Sequence, residues 1–371
     1  MKPVSLFSVF NSPEMESIAI EVLRSGRIAG GEYVPKFESG LARLLDVEHV
    51  VTTVDMTSAI HLALYLSGVR AGDEVITSPF ACLATNSPIA AMGATAVWSD
   101  VSPQSVCIDA KSLLSLITAK TKAVILYHVA GYPGPVAEIA RICREHGIAL
   151  IEDCDNALLA KYEGKNVGAW GDFAVYSFYP NRQINTTEGG ALVCRTPESA
   201  ADARRLRRLG INLNKFRRAD GEINPAEDIV EAGWAYTMNN FCAALGFVQL
   251  SDVEIRVAKA RRHAAYLDER FMTHASIKLI KPLDQSVPAY WVYLISTPKR
   301  DEVLATLKKQ GISASILHNL NSTYSCFNEH ISSRNLPNSI KLQASIMALP
   351  CGWWLDNTDV KYIADIVLAA A

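Results

Sequence analysis

Several polar residues in the first half of the chain stand where an α/β protein would place a ligand. Ile151-Glu152-Asp153 closes an apolar run and delivers a carboxylate at a strand's C-terminal end, where open parallel sheets bind their ligands. An acid there can meet a ribose, a metal or a pyridinium nitrogen, or it can cap the next turn. Thr57 and Ser58 open an apolar-periodic helix directly after the run Val50 to Val54. Free amides and hydroxyls at a helix start suit a phosphate, and ordinary capping uses the same residue types. Ser177 ends a further strand 24 residues beyond Asp153, and Arg182 follows within the segment Ser177-Phe178-Tyr179-Pro180-Asn181-Arg182-Gln183-Ile184. A guanidinium stays charged at ordinary pH and has donors but no useful lone pair. It clamps phosphate or carboxylate, whereas a lysine amine also forms imines and moves protons.

The elements needed to position these groups are legible in the pattern. Short β-branched runs, Val50 to Val54, Glu74 to Thr77, Thr95 to Trp98, Ala123 to Tyr127 and Ile148 to Asp153, alternate with helical stretches such as Ser58 to Ser67 and Pro135 to His146. This alternation predicts an α/β domain with a mostly parallel central sheet. After about residue 250 a long charged helix through Glu254, Arg261 and Glu269 leads into shorter elements. We expect a large α/β domain over residues 1–250, N-terminal arm included, and a smaller C-terminal α+β domain over 251–371. No Pro/Gly/Ser-rich linker parts them, so a helix should join packed lobes.

A chain of 371 residues with 49% hydrophobic content can bury a large core. With 36 basic and 38 acidic residues it carries a net charge of -2, which argues against nucleic-acid or membrane-surface partners. The run Arg204-Arg205-Leu206-Arg207-Arg208 reads as the solvated face of a helix beginning near Glu198 rather than a polyanion site. The eight cysteines form no C-x-x-C pair and lie mostly in apolar stretches, as reduced thiols do. No apolar run approaches the about 20 residues needed to span a bilayer, and the N-terminus shows no apolar signal core, so a cytoplasmic protein is expected. The histidines offer no metal-ligand spacing; His128 reads as a strand-end structural residue.

The segment around Arg182 resembles the cofactor-anchoring loop of the DegT/DnrJ/EryC1/StrS sugar aminotransferases, fold-type-I pyridoxal-phosphate enzymes in which it reads roughly S-F-Y-P-N-K-Q-I-T-T-G-E-G-G. Arg182 stands at the lysine that forms the imine. The likeness continues through Ser25 to Gly31, Gly72 to Phe80, Ala84-Thr85-Asn86, Gly233-Trp234, Met238-Asn239-Asn240, Ala243 to Gly246 and Leu349-Pro350-Cys351, and so covers essentially the whole chain. By this resemblance Asp153 would pair with the pyridine nitrogen and Asn156 would lie near the ring hydroxyl. Met56, Thr57, Ser58 and Ser177 would form the phosphate site, Cys82 would sit against the ring, and His318 would contact substrate. The resemblance implies an aspartate-aminotransferase-like fold, pyridoxal or pyridoxamine phosphate, a nucleotide-linked keto sugar, a glutamate or glutamine donor, and a homodimer with interfacial sites.

The departures shape the expected activity. Met56 replaces a phosphate-turn glycine, Cys82 an aromatic residue, Thr187 a loop glycine, and Ala235 and Thr237 replace an Asn and an Arg of the family's pattern. Cys82 reads as packing. With Arg182 the cofactor should be held non-covalently and turnover trapped or altered, and a lysine at 182 should restore it. The arginine is either an engineered exchange or a natural one. The alternatives are a pyridoxamine-dependent sugar dehydratase and a catalytically silent sugar- or cofactor-binding homologue.

Overall fold

A computed structural model of the chain describes residues 3–327 and 336–371. Two helices open it, α1 (Pro13–Ser25) and α2 (Tyr33–Leu45). An alternating region follows: β1 (His49–Thr53), α3 (Met56–Leu66), β2 (Glu74–Thr77), α4 (Leu83–Ala91), β3 (Thr95–Trp98), α5 (Ala110–Leu116), β4 (Thr121–Tyr127), α6 (Val136–His146) and β5 (Ala149–Asp153). Next come the two-residue strands β6 (Lys161–Tyr162) and β7 (Lys165–Asn166), then β8 (Phe173–Ser177), β9 (Gly190–Cys194), α7 (Pro197–Leu206), α8 (Asn240–Val248) and α9 (Val253–Phe271). The remainder holds β10 (Lys278–Leu279), β11 (Ser286–Val287), β12 (Tyr293–Ser296), α10 (Arg300–Lys309), α11 (Pro337–Ser345), β13 (Ile346–Leu349) and α12 (Asn357–Ala370).

The main sheet has the order β1-β9-β8-β5-β4-β2-β3. Only β9 runs against its neighbours, pairing antiparallel with both β1 and β8. All the other strands therefore end at one edge, and Thr53, Thr77, Tyr127, Asp153 and Ser177 lie along it. The buried strands send alternate side chains to opposite faces. Val75, Ile125 and Ile151 pack with Ile60 and Ala63 of α3 on one side, and Ile76, Val124, Leu126 and Leu150 pack with Ile139 and Ile142 of α6 on the other.

That second cluster runs on without a break into Leu267 of α9, Leu294 of β12 and Ile363 of α12, so the C-terminal layer shares its core with the sheet. In the smaller sheet, β10-β12-β13, α10 packs on β13, and α12 packs on α10 and α9. Residues near the start of the chain dock there: Val4 bridges Ile312, the Trp354 indole donates to Ser5 O at 3.0 Å, and Phe7 stacks on Trp291 at 4.4 Å.

Element ends follow local chemistry. Ser12 caps α1 with Pro13 behind it, and Gly26 leaves that helix at φ 69°. Arg204 and Arg208 of the arginine run are exposed, as the sequence predicts, and Arg207 is the exception. Arg207, at the end of α7, is buried and donates from Nη1 to Glu38 Oε1 at 2.6 Å and to the Thr52 carbonyl. It thereby fastens α2, β1 and α7 together, because one face of the last turn of α7, through Ala203 and Leu206, is buried.

Candidate active site

The described residues that carry the chemistry gather at the sheet's C-terminal edge. Asp153 ends β5 with no exposed surface; its Oδ2 accepts from Thr85 Oγ1 at 2.7 Å and its Oδ1 from the Asp155 amide at 3.0 Å. Burial, and next the Asp155 carboxylate, push its pKa up to about 7, against the two hydrogen bonds that favour the ionised form. A proton donor placed against this oxygen pair would relieve a carboxylate that is costly to ionise alone.

Arg182 lies in the loop between β8 and β9, which closes on itself through Phe178 N to Gly189 O at 2.8 Å and Thr186 N to Phe178 O at 2.9 Å. Its guanidinium makes a bidentate pair with Asp155, Nε to Oδ1 at 2.6 Å and Nη2 to Oδ2 at 2.9 Å. The third nitrogen donates to the Asn181 side-chain oxygen, and the Trp291 ring covers one face at 4.6 Å. Burial works against the charge, but the Asp155 carboxylate outweighs it and raises the Arg182 pKa. The residue is thus a fixed cation.

A chain of hydrogen bonds crosses the same edge. Asn156 Nδ2 donates to the Tyr127 hydroxyl at 2.7 Å, and that hydroxyl lies 3.3 Å from His318 Nε2. Burial lowers the His318 pKa to about 4, so the ring is neutral near pH 7, and in the Nδ1-H tautomer its Nε2 accepts from the tyrosine hydroxyl. Asn156 Oδ1 is buried with no hydrogen-bond partner among the described residues. Cys82 lies just before α4, and burial and the Asp155 carboxylate raise its pKa, which favours the protonated thiol.

The phosphate end is less open than its sequence suggests. Asp55 caps α3 and its carboxylate accepts the Ser58 amide at 2.7 Å, so one of the expected amides is already taken. Met56 and Ser58 are both buried, while Thr57 faces outward at the first turn. Ser177 pairs with Gly190, as does Thr53, which brings β1, β9 and β8 to one rung beside the helix start. Gly190 is required there, since a Cβ on it would lie 2.5 Å from Asp55 O and 2.7 Å from Met56 N. The cradle has the right shape, with a carboxylate set into it.

His128, Glu152 and Cys154 bring three ligand-type atoms within 4.8 Å of one another. Each is already engaged. Glu152 accepts the amides of Gly168, Trp170 and Gly171, all at 2.7 Å, and the His128 Nε2 proton at 3.1 Å; His128 Nδ1 accepts from Gly134 N at 3.0 Å. Burial keeps the Cys154 thiol protonated. The cluster is a structural hub under β5, in accord with the structural reading of His128.

Comparison with known proteins gives this geometry its class. The profile of the DegT/DnrJ/EryC1/StrS aminotransferase family matches residues 11–368, and the chain belongs to that family. A pleiotropic regulatory protein of Geobacillus stearothermophilus is 33% identical over 312 residues, covering 83% of this chain and 80% of its own length. GDP-perosamine synthase of Vibrio cholerae is 31% identical over 273 residues, covering 74% and 71%. The sugar aminotransferase CalS13 from Micromonospora echinospora superposes with a TM-score of 0.92 at 27% identity, over 99% of each chain. The family is one of enzymes, the fold is that of pyridoxal-phosphate aminotransferases, and pyridoxal phosphate or its amine form is the family's cofactor.

The residues fit that cofactor unevenly. Asp153 suits a protonated ring nitrogen, and the unmatched Asn156 oxygen suits a ring hydroxyl. The amides of Met56 and Thr57 with the hydroxyls of Thr57 and Ser177 remain for the phosphate, beside the Asp55 carboxylate. No amine stands at position 182. Asp155, Thr85, Tyr127, Asn181 and Trp291 also build the site and were given no role in the sequence reading. The last acid of Glu152-Asp153-Cys154-Asp155 is the one available hint, as a charge partner for Arg182.

Proposed function

We propose that this chain binds pyridoxal or pyridoxamine phosphate without a covalent bond and acts on a nucleotide-linked keto sugar in amino-sugar biosynthesis. Glutamate or glutamine is the amino donor, and the working unit is a cytoplasmic homodimer. One observation carries the reading: a buried acid, Asp153, faces the ligand edge beside an anchor loop whose key position holds a guanidinium. When bound, the cofactor supplies a conjugated ring that takes up electrons from a bond next to nitrogen. Asp153 holds a proton at the ring nitrogen, Asn156 and Tyr127 orient the ring, and His318 fixes Tyr127 while facing the substrate side. Thr57, Ser177 and the first amides of α3 hold the phosphate.

Arg182 has no lone pair with which to move a proton, and losing a proton shuttle costs about 10²- to 10⁴-fold in rate. Amino transfer by the chain as written is therefore slow. The ready-made partners of Arg182, a bidentate carboxylate and an aromatic face, support a natural arginine over an engineered one. The dimer is supported by exposed apolar side chains between α7 and α8: Leu209, Leu213, Ile223 and Val230.

A second reading, a silent binder, draws on the Asp55 carboxylate in the phosphate cradle and on the regulatory relative. The test incubates the protein with glutamate and a panel of nucleotide-linked keto sugars, with product read by mass spectrometry, and treats a parallel sample with pyridoxal phosphate and borohydride. Slow transfer with an unmodified chain supports the proposal. Rapid turnover, or a stable adduct on another lysine, refutes it; tight cofactor binding without transfer favours the silent binder or the dehydratase.

A further inference from the structure

Position 182 cannot be understood apart from Asp155. The Asp155 side chain is 2% exposed, and among the described residues Arg182 is its only ion-pair partner. Both of its oxygens are taken by that guanidinium. The other titratable groups that face position 182 bring little charge. The Tyr127 hydroxyl and the Cys82 thiol are pushed up by burial, and His318 is pushed down, so all three stay neutral near pH 7, while Asp153 is costly to ionise. Asp155 therefore sets the electrostatics of whatever side chain stands at 182.

We propose that Asp155 is a positioning residue that holds position 182 as a permanent cation, so that residues 155 and 182 together decide whether this site can bind an aldehyde covalently. A lysine has nearly the reach of arginine, and its nitrogen would fall where the Arg182 guanidinium now meets Asp155. An opposite charge in contact raises an amine's pKa by about 1 to 3, from a free value of about 10.4. The neutral amine, which alone attacks an aldehyde, would then be about 10- to 10³-fold scarcer. The expectation that a lysine at 182 restores the anchor is thereby revised: Arg182→Lys alone falls short, and Arg182→Lys with Asp155→Asn succeeds. In the covalent step the neutral amine bonds to the aldehyde carbon, the aldehyde oxygen leaves as water, and borohydride then adds hydride to the carbon–nitrogen double bond.

This inference rests on the proposed cofactor site, so its test has one arm that needs no cofactor. In that arm the introduced lysine of Arg182→Lys, alone and combined with Asp155→Asn, is competitively acetylated with trace acetic anhydride between pH 6 and 11, and its neutral fraction at each pH, set against an exposed lysine of the same chain, ranks the amine's pKa. The single variant should titrate above a free lysine and the double variant at least about 10-fold lower in proton affinity. In the other arm both variants are mixed with pyridoxal phosphate at pH 7.5, reduced and digested, and the label on residue 182 is counted after circular dichroism has shown that each is folded. Label should form about 10- to 10³-fold faster in the double variant, and Asp155→Ala in place of Asp155→Asn should act in the same direction. Equal pKa values in the two variants overturn the inference. Failure of all the proteins to retain pyridoxal phosphate in dialysis overturns the cofactor reading instead, and the acetylation arm still judges Asp155.

Discussion

Replacing Asp153 with asparagine should change how the stability of the cofactor-free protein depends on pH. The carboxyl is fully buried and its pKa is raised from 3.8 to about 7, first by burial and then by Asp155. Because the folded pKa lies above the unfolded one, the folded state binds more protons between about pH 4 and 7. Stability therefore falls as pH rises through that window, by up to about 1.4 kcal/mol per pH unit. Summed over the window the ionised group costs at most about 4 kcal/mol, and half of that would still be measurable. Asparagine keeps an acceptor for the Asp155 amide, and Thr85 can turn its hydroxyl to accept, so the exchange itself adds only a pH-independent offset. Urea unfolding of both proteins from pH 4.5 to 8 should show the asparagine variant gaining on the parent as pH rises, then running parallel above about pH 7.5. Parallel curves throughout would refute the assignment of a protonated, unrelieved carboxyl at the sheet edge.

Other exchanges test the supporting architecture. Thr187 holds a β-branched side chain at φ 68°; relief of about 1 to 2 kcal/mol of strain, less the added freedom of glycine, predicts that Thr187→Gly stabilises by about 0.5 to 1 kcal/mol, read as a higher thermal midpoint. Glu152→Gln sets an amide nitrogen against the Gly168 amide and the His128 proton, and should cost about 2 kcal/mol or more in urea unfolding. Asp55→Asn keeps the α3 cap while removing the charge, and should tighten pyridoxal phosphate by about 3- to 10-fold in equilibrium dialysis. Unchanged affinity would show that Asp55 does not oppose the phosphate.

The parts legible in the sequence were those fixed by local pattern. The apolar runs predict β2 and β3 at their observed bounds and β1, β4 and β5 to within a residue or two, because a buried strand needs continuous apolar character whatever surrounds it. The strand-end position of Asp153 follows from the same logic. What escaped depends on distant contacts. Arg207 looked solvated because nothing in its own helix reveals Glu38 and Thr52 waiting across α2 and β1. Trp291 lies 110 residues from the Asn181 carbonyl that receives its indole N–H, and Tyr127 meets a histidine 191 residues away. The antiparallel β9 was not singled out, since it follows directly on the anchor loop and only pairing reveals its direction.

The stacking of Phe7 on Trp291 links the beginning of the chain to the chemistry at its centre. Trp291 floors the Arg182 guanidinium and donates to the Asn181 carbonyl, so Phe7 is the outermost plate of a stack that ends on the anchor loop. Anything that shifts residues 4–7 from their seat on Ile312 and Trp354 loosens that plate. In handling terms, any addition or exchange close to residues 4–7 is not a neutral convenience for this protein.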